Sequence, residues 1–568
     1  MKLTAMAVVT ATAFIACNPL NKMVKRQGEV NYELTPNPVE MHGDSIAISL
    51  SGSFPEKYFH KKVSATVTPV IVYGENSENF DVLKLKGEDS EAEGSTIAYE
   101  KGGSFSHSAV IPYKAGMETA TVELRVSGEF KGKTKDLDPK KVADGTMITS
   151  KLVMSSDKGI IGADKFQKFT MEDNMVEIHY LVNQSNVRGS ELTDKDIKDL
   201  KAKLKAWKDD VKMEFNALQV SAYASPEGEL SKNENLANER AESGAKAVQG
   251  ILKGSKVAVP EGEYTSATGK GEDWAGFKTL MQASDINDKE LIIRVLETYQ
   301  DGETREKEIK NLAATYTEVA KKVLPELRRA QCNVVMKHNN LTDDEIKALV
   351  DTKIDSLDVE QMLYAATLYD DLAKKESIYK SCESIHASDW RGANNVGYVY
   401  LMQNKLSEAK AQFEKANGIS ANNPVVQNNL GVCERLNGNL NGAMEYYNNA
   451  SGAGPEVAQN KGIINIIQGD YADAVSNYSG VNSFNAALAN VMNGNNSVGA
   501  MIDGGDDKDE AVSYYLKAVA AARGGDNDMM INNLKSATSK DAGFKAKAKG
   551  DVEFIKYWDN ADFQSAVN

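Results

Sequence analysis

Apolar and polar residues alternate in short runs over the first quarter of the chain. The alternation is clearest at residues 46–50, 63–67 and 120–126, and clusters of proline and glycine separate the runs. Period-two alternation predicts β-strands with one buried face, and several short strands between turn residues favour an antiparallel sandwich. We therefore expect an immunoglobulin-like β-sandwich over residues 30–155, although the cysteine and tryptophan landmarks of true immunoglobulin domains are missing.

From about residue 173 the pattern changes to a mixture of strand-like and helix-like segments. The strand-like runs lie at residues 176–182, around 218–220, near 264 and at 332–336. The helical patterns lie at residues 193–207, 234–252, 277–283, 289–297 and 306–324. Strands interspersed with amphipathic helices predict an α+β domain.

Beyond residue 341 the chain becomes helical and repetitive. Four positions recur at one constant interval, where Gly397, Ala409, Phe413 and Ala416 return as Gly431, Ala443, Tyr447 and Ala450. A looser copy follows with Gly462, Ala474 and Tyr478. The interval of about 34 residues, with small residues where helices cross and an aromatic residue in the second helix, resembles the tetratricopeptide repeat (TPR). The resemblance implies an α-helical solenoid over residues 341–568, whose concave surface takes a peptide or a partner helix.

Two pairs of asparagines, Asn394 with Asn395 and Asn428 with Asn429, recur at helix positions that often face such a groove. Side-chain amides offer both donors and acceptors, so these four residues are candidates for a clamp on a peptide backbone. The other interpretation, which is the more ordinary one and is preferred, is a solvated helix surface.

The chain begins with Lys2, an apolar stretch and a small residue before Cys17. This order is typical of a secretory signal peptide over residues 1–16, and the apolar stretch is too short to span a bilayer. Residues 14–17 resemble a bacterial lipobox, with Phe14 where leucine is usual. The resemblance implies that Cys17 is acylated, which would hold the protein permanently on a membrane surface. A plain cleaved signal with a free cysteine nearby is the alternative.

Residues 17–29 are expected to form a linker after the lipidated cysteine. The residues directly after Cys17 lack an aspartate resembling an inner-membrane retention signal and an acidic run resembling a surface-export signal. By analogy, the protein is expected to be anchored in the outer membrane and to face the periplasm.

Residues 174–340 resemble the OmpA-like C-terminal domain, with a helical insertion between Lys270 and Leu327. The most specific match is the pattern Asn233-x-x-Leu-Ala-x-x-Arg240-Ala, and a short Leu-Arg-Arg-Ala ending precedes the last predicted strand. The resemblance implies non-covalent binding of peptidoglycan, in which an arginine and an aspartate clamp a diaminopimelate group.

Arg240 occupies the position of the family's arginine, and bidentate charge-assisted contacts explain why arginine suits that role. Ser225 occupies the position of the aspartate, and a hydroxyl cannot supply the counter-charge to an ammonium group. The candidate peptidoglycan-binding residues are therefore Arg240, Asn233 and Ser225. Three roles for Arg240 stay open: a wall contact, an ion pair with Glu227 or Glu229, and a contact with a partner protein.

The chain has 66 basic and 81 acidic residues, a net charge of -15, which argues against nucleic acid as a partner. Its four cysteines include no Cys-x-x-Cys pair, and its six histidines show no spacing typical of a metal site. We expect no metal and no cofactor. Cys382 and Cys433 lie on predicted helices and are expected in the core.

The sequence contains no Gly-x-Ser-x-Gly, no paired catalytic signature and no phosphate-binding loop, so we expect a protein that is not an enzyme. The preferred hypothesis is a peptidoglycan tether that also acts as a scaffold for other envelope proteins through its repeats. The other is an accessory subunit of an outer-membrane assembly or secretion complex, whose OmpA-like domain no longer binds the wall. Arg240 and Asn233 favour the first hypothesis, and Ser225 favours the second.

Overall fold

The computed structural model describes residues 18–260 and 265–568 and divides the chain into two compact units. The first unit combines the N-terminal part up to Gly162 with Glu383–Asn568, and the second unit is Ala163–Cys382. The predicted signal peptide and Cys17 lie outside the described residues. No helix within the described ranges is both long and apolar enough to cross a membrane.

The N-terminal part of the first unit is rich in β-structure, and a short helix, α1 (Pro19–Lys25), precedes its strands. In the described part of the chain, one sheet of five strands contains β1 (Asn31–Thr35), β2 (Val39–His42), β3 (Ser45–Phe54), β8 (Gly103–Pro112) and β12 (Thr146–Met147). A sheet of seven strands contains β4 (Ser64–Tyr73), β5 (Asn76–Asn79), β6 (Leu83–Gly87), β7 (Ser95–Ile97), β9 (Thr121–Phe130), β10 (Lys133–Asp136) and β11 (Lys140–Asp144).

The two sheets share one hydrophobic core. Ile46, Ile48 and Leu50 on β3 are at most 3% exposed, and the residues between them face outward. Val122 and Leu124 on β9 are buried in the same alternating way. The alternation in the sequence therefore predicted these strands correctly, because side chains on successive strand residues point to opposite faces.

The second unit is built on one sheet with the strand order β13-β16-β14-β15. Its strands are β13 (Phe169–His179), β14 (Met213–Ala224), β15 (Thr265–Glu272) and β16 (Arg329–Asn339). The helix α2 (Lys195–Trp207) follows β13, and α3 (Leu230–Gly254) connects the parallel pair β14 and β15. Gly244 lets α3 approach the sheet closely, since a Cβ atom there would lie 3.0 Å from the Cβ atom of Ala330.

The predicted insertion is a helical subdomain with a hydrophobic core of its own. Its helices are α4 (Trp274–Ala283), α5 (Lys289–Thr298), α6 (Gly302–Asn311), α7 (Ala313–Lys322) and α8 (Leu324–Leu327). After β16 come α9 (Asp343–Thr352), α10 (Val359–Thr367) and α11 (Leu372–Ile385). The single helix expected over residues 306–324 is interrupted at Leu312, whose ψ of 57° is not helical.

The remaining helices form the helical repeat region of the first unit. They are α12 (Trp390–Met402), α13 (Leu406–Ile419), α14 (Pro424–Leu436), α15 (Leu440–Asn449), α16 (Glu456–Gln468), α17 (Tyr471–Asn477), α18 (Phe484–Met492), α19 (Gly499–Asp503), α20 (Ala511–Gly524), α21 (Asn527–Lys540), α22 (Gly543–Gly550) and α23 (Ala561–Val567).

One packing contact recurs in the repeats and explains their spacing. Gly397 of α12 faces the ring of Phe413 in α13, at 2.7 Å from where a Cβ atom would stand. Gly431 meets Tyr447 in the next pair at 2.5 Å, and Gly462 meets its aromatic partner in the third pair at 2.4 Å. A larger residue at these glycines would collide with the ring, so the prediction of a TPR-like helical region is confirmed.

The sheets and the helical repeats of the first unit are joined by a buried charge cluster. Arg523 of α20 donates to both carboxylate oxygens of Glu553, and its Nη2 lies 3.2 Å from Oε1 of Glu40 on β2. Thr149 also donates to the Glu553 carboxylate. The Glu553 side chain is only 1% exposed, and its hydrogen bonds to Arg523 and Thr149 offset the cost of burying its polar atoms.

Candidate functional site

Residues 153–162, which we call the strap, connect the β-rich part of the first unit to the second unit's sequence. The strap has no regular secondary structure, and it lies along one face of the helical repeats. That face is formed by α12, α14, α16 and α18, each of which contributes asparagines that bind the strap backbone. We call these asparagines the ladder: Asn394, Asn395, Asn428, Asn429, Asn460 and Asn485.

Near the C-terminal end of the strap, two ladder residues each bind both the N–H and the carbonyl group of one strap residue. Oδ1 of Asn395 accepts from the backbone N–H of Gly162 at 2.7 Å, and its Nδ2 donates to the carbonyl of Gly162 at 2.9 Å. Asn429 makes the same pair of bonds with Ile160, at 2.7 Å each. Each amide therefore replaces the partner that a neighbouring β-strand would supply.

The same pattern continues toward the beginning of the strap. Asn460 binds the N–H and the carbonyl of Lys158 at 2.8 and 2.9 Å, and Asn485 binds those of Met154 at 2.9 and 2.8 Å. The bound residues 158, 160 and 162 are two apart, as an extended chain requires if its backbone groups are to face one surface.

The remaining two asparagines reinforce this row. Nδ2 of Asn428 donates to the carbonyl of Lys158 at 2.9 Å, and Nδ2 of Asn394 donates to that of Ile160 at 3.2 Å. Their Oδ1 atoms accept from Asn460 and Asn429, at 3.0 and 2.9 Å. The amides thus form a connected network with few groups left unpaired, which is the arrangement that makes buried polar side chains tolerable.

The preferred interpretation of these asparagines as solvated helix surface is wrong. Asn394, Asn395, Asn428 and Asn429 are 0–1% exposed, and each binds the strap backbone, other ladder amides or both. The segment that they hold belongs to the same chain. Burial is possible because every amide finds partners, without which each would cost roughly 1–3 kcal/mol.

Sequence reasoning missed Asn460 and Asn485, although the sequence contains a signal for the first. Asn395 and Asn429 each stand two residues before a repeat glycine, and Asn460 stands two residues before Gly462. Asn485 stands in the same way two residues before Ala487, a small residue. The strap itself lay in a part of the sequence without apolar periodicity, so no pattern predicted it.

The helical repeats contact the side chains of the strap at only a few positions in the described structure. Arg435 of α14 forms a buried ion pair with Asp157 and donates to Oγ of Ser155 at 3.1 Å. Burial raises the pKa of the Asp157 carboxyl, while the guanidinium opposes that shift. Gly162 lies where a Cβ atom would be 2.8 Å from Cγ of Arg391. The site therefore selects an extended backbone, one acidic side chain and a residue without a side chain.

The candidate wall-binding arginine lies in the second unit and is 1% exposed. Arg240 donates to the carbonyls of Gln184, Tyr223 and Leu181 at 3.0, 3.0 and 3.1 Å, and it lies over the ring of Tyr180. Burial lowers the pKa of its guanidinium to about 10. Arg240 joins the loop after β13 to the end of β14.

The suggested ion pair of Arg240 with Glu227 or Glu229 is not formed in the described structure. Glu227 pairs instead with Arg328 at 2.7 Å, and Glu229 lies 3.4 Å from Lys232. Carbonyl oxygens, rather than a carboxylate, hold the guanidinium, so its positive charge has no full counter-charge among its direct partners.

Ser225 and Asn233 are also buried, at 4% and 6% exposure. Oγ of Ser225 donates to Glu227 at 2.7 Å and lies 3.2 Å from Nε of Arg328. Nδ2 of Asn233 donates to the carbonyl of Glu227 at 3.1 Å and to Oε1 of Glu272 at 2.8 Å. The hydrogen bonds of Ser225 and Asn233 therefore hold the loop after β14 in place.

The helical insertion contacts the same loop. Glu306 of α6 accepts a hydrogen bond from the backbone N–H of Gly228 at 2.6 Å. At the start of α4, Asp273 pairs with Arg329 at 2.8 Å, and Nε1 of Trp274 donates to Glu272 at 2.9 Å. The loop that carries Ser225, one of the candidate wall-binding residues, is therefore occupied by contacts within the second unit.

The three cysteines of the described residues, Cys332, Cys382 and Cys433, are buried. Burial raises the pKa of the Cys332 and Cys433 thiols to about 12, so both are neutral at physiological pH. Within residues 18–260 and 265–568, no group of three or more potential ligand side chains is placed to hold a metal ion.

No family model matches the sequence, and no curated protein matches it. Among solved structures, the chain is similar to a tetratricopeptide repeat protein from Parabacteroides merdae, with 14% identity and a TM-score of 0.27, over 37% of this chain and 90% of that one. It is also similar to YrrB, described as a TPR protein with an unusual peptide-binding site, with 19% identity and a TM-score of 0.22, over 36% and 96% of the two chains.

A third similar structure is PilW, a type IV pilus biogenesis factor, with 14% identity and a TM-score of 0.23, over 40% of this chain and 89% of that one. At such low identities and TM-scores, the assignment of a TPR-like region rests on the chain's own repeats. The glycines that face aromatic rings and the ladder that binds an extended backbone are the structural basis for it.

Proposed function

We propose that the chain is a non-enzymatic, lipid-anchored scaffold of the bacterial envelope, an accessory subunit of an outer-membrane assembly. The observation that favours this hypothesis over a wall tether is the environment of Arg240. Its three hydrogen bonds to carbonyls and its 1% exposure leave no open face for a charged ligand. In this proposal the OmpA-like fold of the second unit serves as a module for protein contacts.

The helical repeats contribute to the scaffold in an indirect way. Their asparagine ladder binds the extended backbone of the strap, so the site that resembles a peptide groove is filled by the chain itself. Partner proteins would therefore bind other surfaces, and the ladder would fix the strap that leads into the second unit.

The peptidoglycan-tether hypothesis predicts that the protein binds purified cell-wall sacculi, whereas our proposal predicts that it does not. We expect residues 18–568 to stay in the supernatant when mixed with purified sacculi and centrifuged, while a wall-binding OmpA-like domain used as the positive control pellets. Pelleting of the wild-type chain that free diaminopimelate-containing muropeptides abolish would overturn the proposal and support the tether.

The anchor is tested separately through Cys17. Acylation of this residue is expected to place the wild-type protein in the outer-membrane fraction and to incorporate a labelled fatty acid. Cys17→Ser should incorporate no label and appear in the soluble periplasmic fraction. Equal membrane association of both variants without label would contradict a lipid anchor.

The scaffold itself is tested by photo-crosslinking in intact cells. Exposed apolar residues of the insertion, such as Leu291 at 43% exposure, are suitable positions for a photoreactive amino acid. We expect discrete adducts with envelope proteins that purify together with the chain in detergent. An absence of adducts from many exposed positions of both units, with normal expression of the protein, would contradict a scaffold function.

A further inference from the structure

A cleft of about 780 Å³ lies between α2 and α3 in the second unit, near the C-terminal ends of both helices. It is separate from the loop that holds Ser225, which lies before the other end of α3. The cleft is lined by Leu192, Lys201, Lys205, Lys208, Lys246, Ala247, Gly250, Ile251, Gly254, Ser255 and Lys256.

Five of these residues are lysines, and no acidic residue lines the cleft. Lys201 donates to the carbonyl of Leu192 at 2.7 Å, and Lys208 lies 3.0 Å from Asp209. Lys246 is 4.0 Å from Glu242, the limit of an ion pair. The other two, Lys205 and Lys256, are exposed and form no ion pair with any described residue.

Lysines are common near helix C-termini because their positive charge offsets the negative end of the helix dipole. The charge of the two helix ends must therefore be subtracted from that of the five lysines. Two helix ends contribute roughly -0.5 each, or about -1 in total. Asp209 and Glu242 offset two further charges. Of the five positive charges, about two remain uncompensated, on a chain with a net charge of -15. The dipoles therefore do not account for the whole cluster.

The shape and lining of the cleft restrict what could bind there. No aromatic residue lines it, so nucleobases and sugar rings would find no stacking surface. A concave site between two helices does not fit the flat surface of a bilayer. Leu192, Ala247 and Ile251 supply an apolar wall beside the lysines, and a Cβ atom at Gly250 or Gly254 would meet nothing within 4 Å.

We propose that this cleft binds an acidic peptide segment of a partner protein, with carboxylates on the lysines and apolar side chains against Ala247 and Ile251. The inference rests on the proposed scaffold function and names the chemistry of one partner. Because the chain as a whole carries a net charge of -15, an acidic segment would be repelled on average and attracted locally by the lysines of the cleft.

The test uses residues 18–568 and a fluorescein-labelled twelve-residue peptide of alternating glutamate and leucine, with binding followed by fluorescence anisotropy. A peptide with glutamine at every glutamate position is the ligand control. We expect saturable binding of the glutamate peptide that weakens as salt rises, and at least about tenfold weaker binding of the glutamine peptide.

The variant Lys205→Glu/Lys256→Glu should weaken binding by about tenfold or more. The matched control is Lys195→Glu/Lys232→Glu, which changes the net charge equally at exposed positions of the same two helices outside the cleft. Circular dichroism and thermal melting of both variants establish that they fold. An equal loss in the two variants would overturn the proposal, since the attraction would then be general.

Two further outcomes would also contradict the proposal that the cleft binds an acidic peptide. No binding of the glutamate peptide by the wild type would overturn the proposal, as would lysine-dependent binding of vesicles containing anionic phospholipid without binding of the peptide. If peptide binding fails while crosslinks to envelope proteins persist, only the cleft proposal fails. If peptide binding holds but no crosslinks form in cells, the proposed scaffold function fails instead.

Discussion

At the scale of single residues, the environment of Arg240 shows that a resemblance in sequence does not determine how a side chain is used. An arginine at this position matches the pattern of a wall-binding family, yet here it donates to three carbonyls from two segments of the second unit. A guanidinium has five donors in a fixed plane, which suits it to join several backbone segments as well as to bind a carboxylate.

Replacing this arginine is therefore expected to affect stability. Arg240→Ala would leave three carbonyls without their donor, at roughly 1–3 kcal/mol for each group. We expect a fall of at least about 3 kcal/mol in the free energy of unfolding of the second unit, measured by urea denaturation. Arg294→Ala, at an exposed arginine of the same unit, should change it by less than about 0.5 kcal/mol. Equal stabilities of the two variants would contradict a structural role for Arg240.

The buried cysteines lead to a second prediction at this scale. With a thiol pKa of about 12, Cys332 and Cys433 carry a thiolate fraction of roughly one in ten thousand at pH 8. In residues 18–568, we expect maleimide to label no cysteine within minutes under native conditions and to label all three in guanidinium chloride. Mass spectrometry of the intact chain counts the adducts, and rapid native labelling of either residue would contradict its burial.

At the scale of elements, the strap is held as a strand is held in a sheet, but by side chains. Among residues 18–260 and 265–568, four asparagines bind both backbone groups of strap residues, and only Arg435 pairs with a strap side-chain charge. A site of this kind depends on the backbone's conformation more than on its side chains. The helix repeats set the spacing, since the asparagines precede small residues by the same interval in successive repeats.

Trypsin cleavage after Lys158 reports directly on this clamp. The carbonyl of Lys158 accepts from Asn428 and from Asn460, each at 2.9 Å, whereas the lysine side chain is exposed. Asn428→Ala/Asn460→Ala removes both donors, worth roughly 1 kcal/mol each, so we expect cleavage there to be about tenfold faster or more.

Two controls accompany that experiment. Asn448→Ala/Asn449→Ala changes two exposed asparagines of α15 and should leave the rate of cleavage after Lys158 unchanged. Cleavage after Lys131, in the turn between β9 and β10, should be equally fast in every variant. Fast cleavage after Lys158 in the wild-type chain would show that the strap is not held.

At the scale of the whole chain, the first unit brings together the two ends of the sequence, with the second unit's residues between them. Arg523 in the helical repeats contacts Glu40 in the β-rich part, and Glu553 completes the cluster. The net contribution of such a cluster to stability is small compared with the cost of breaking it, because desolvation of the charges opposes their attraction.

Removing one charged residue of this cluster should lower the stability of the first unit more than removing both members of the ion pair. Arg523→Ala leaves Glu553 buried without its cation, and we expect a loss of about 3–5 kcal/mol in the unfolding free energy of the first unit. Arg523→Leu/Glu553→Leu removes the buried charge pair together, so its loss should be clearly smaller. Lys508→Ala, at an exposed lysine, is the control in thermal and chemical denaturation. A double variant less stable than Arg523→Ala would contradict this account.

Periodic patterns predicted the elements well, because they record which face of an element is buried. Alternation located β3 and β9, and the helical pattern at residues 234–252 fell within α3. The constant interval between the repeats likewise predicted the packing of small residues against rings in α12 to α15. The division of residues 306–324 into α6 and α7 was not predicted, since Leu312 carries no helix-breaking signal.

By itself, the sequence determined the order of a β-rich region, an α+β region and a helical repeat region, since each has its own hydrophobic period. Only the tertiary structure decided what the polar residues do. A buried amide or guanidinium takes its role from partners that are distant in sequence. Gly162 of the strap and Asn395 are 233 residues apart, and Arg240 finds its carbonyls 17 to 59 residues away. No local pattern records such pairs, because they form only when the chain has folded.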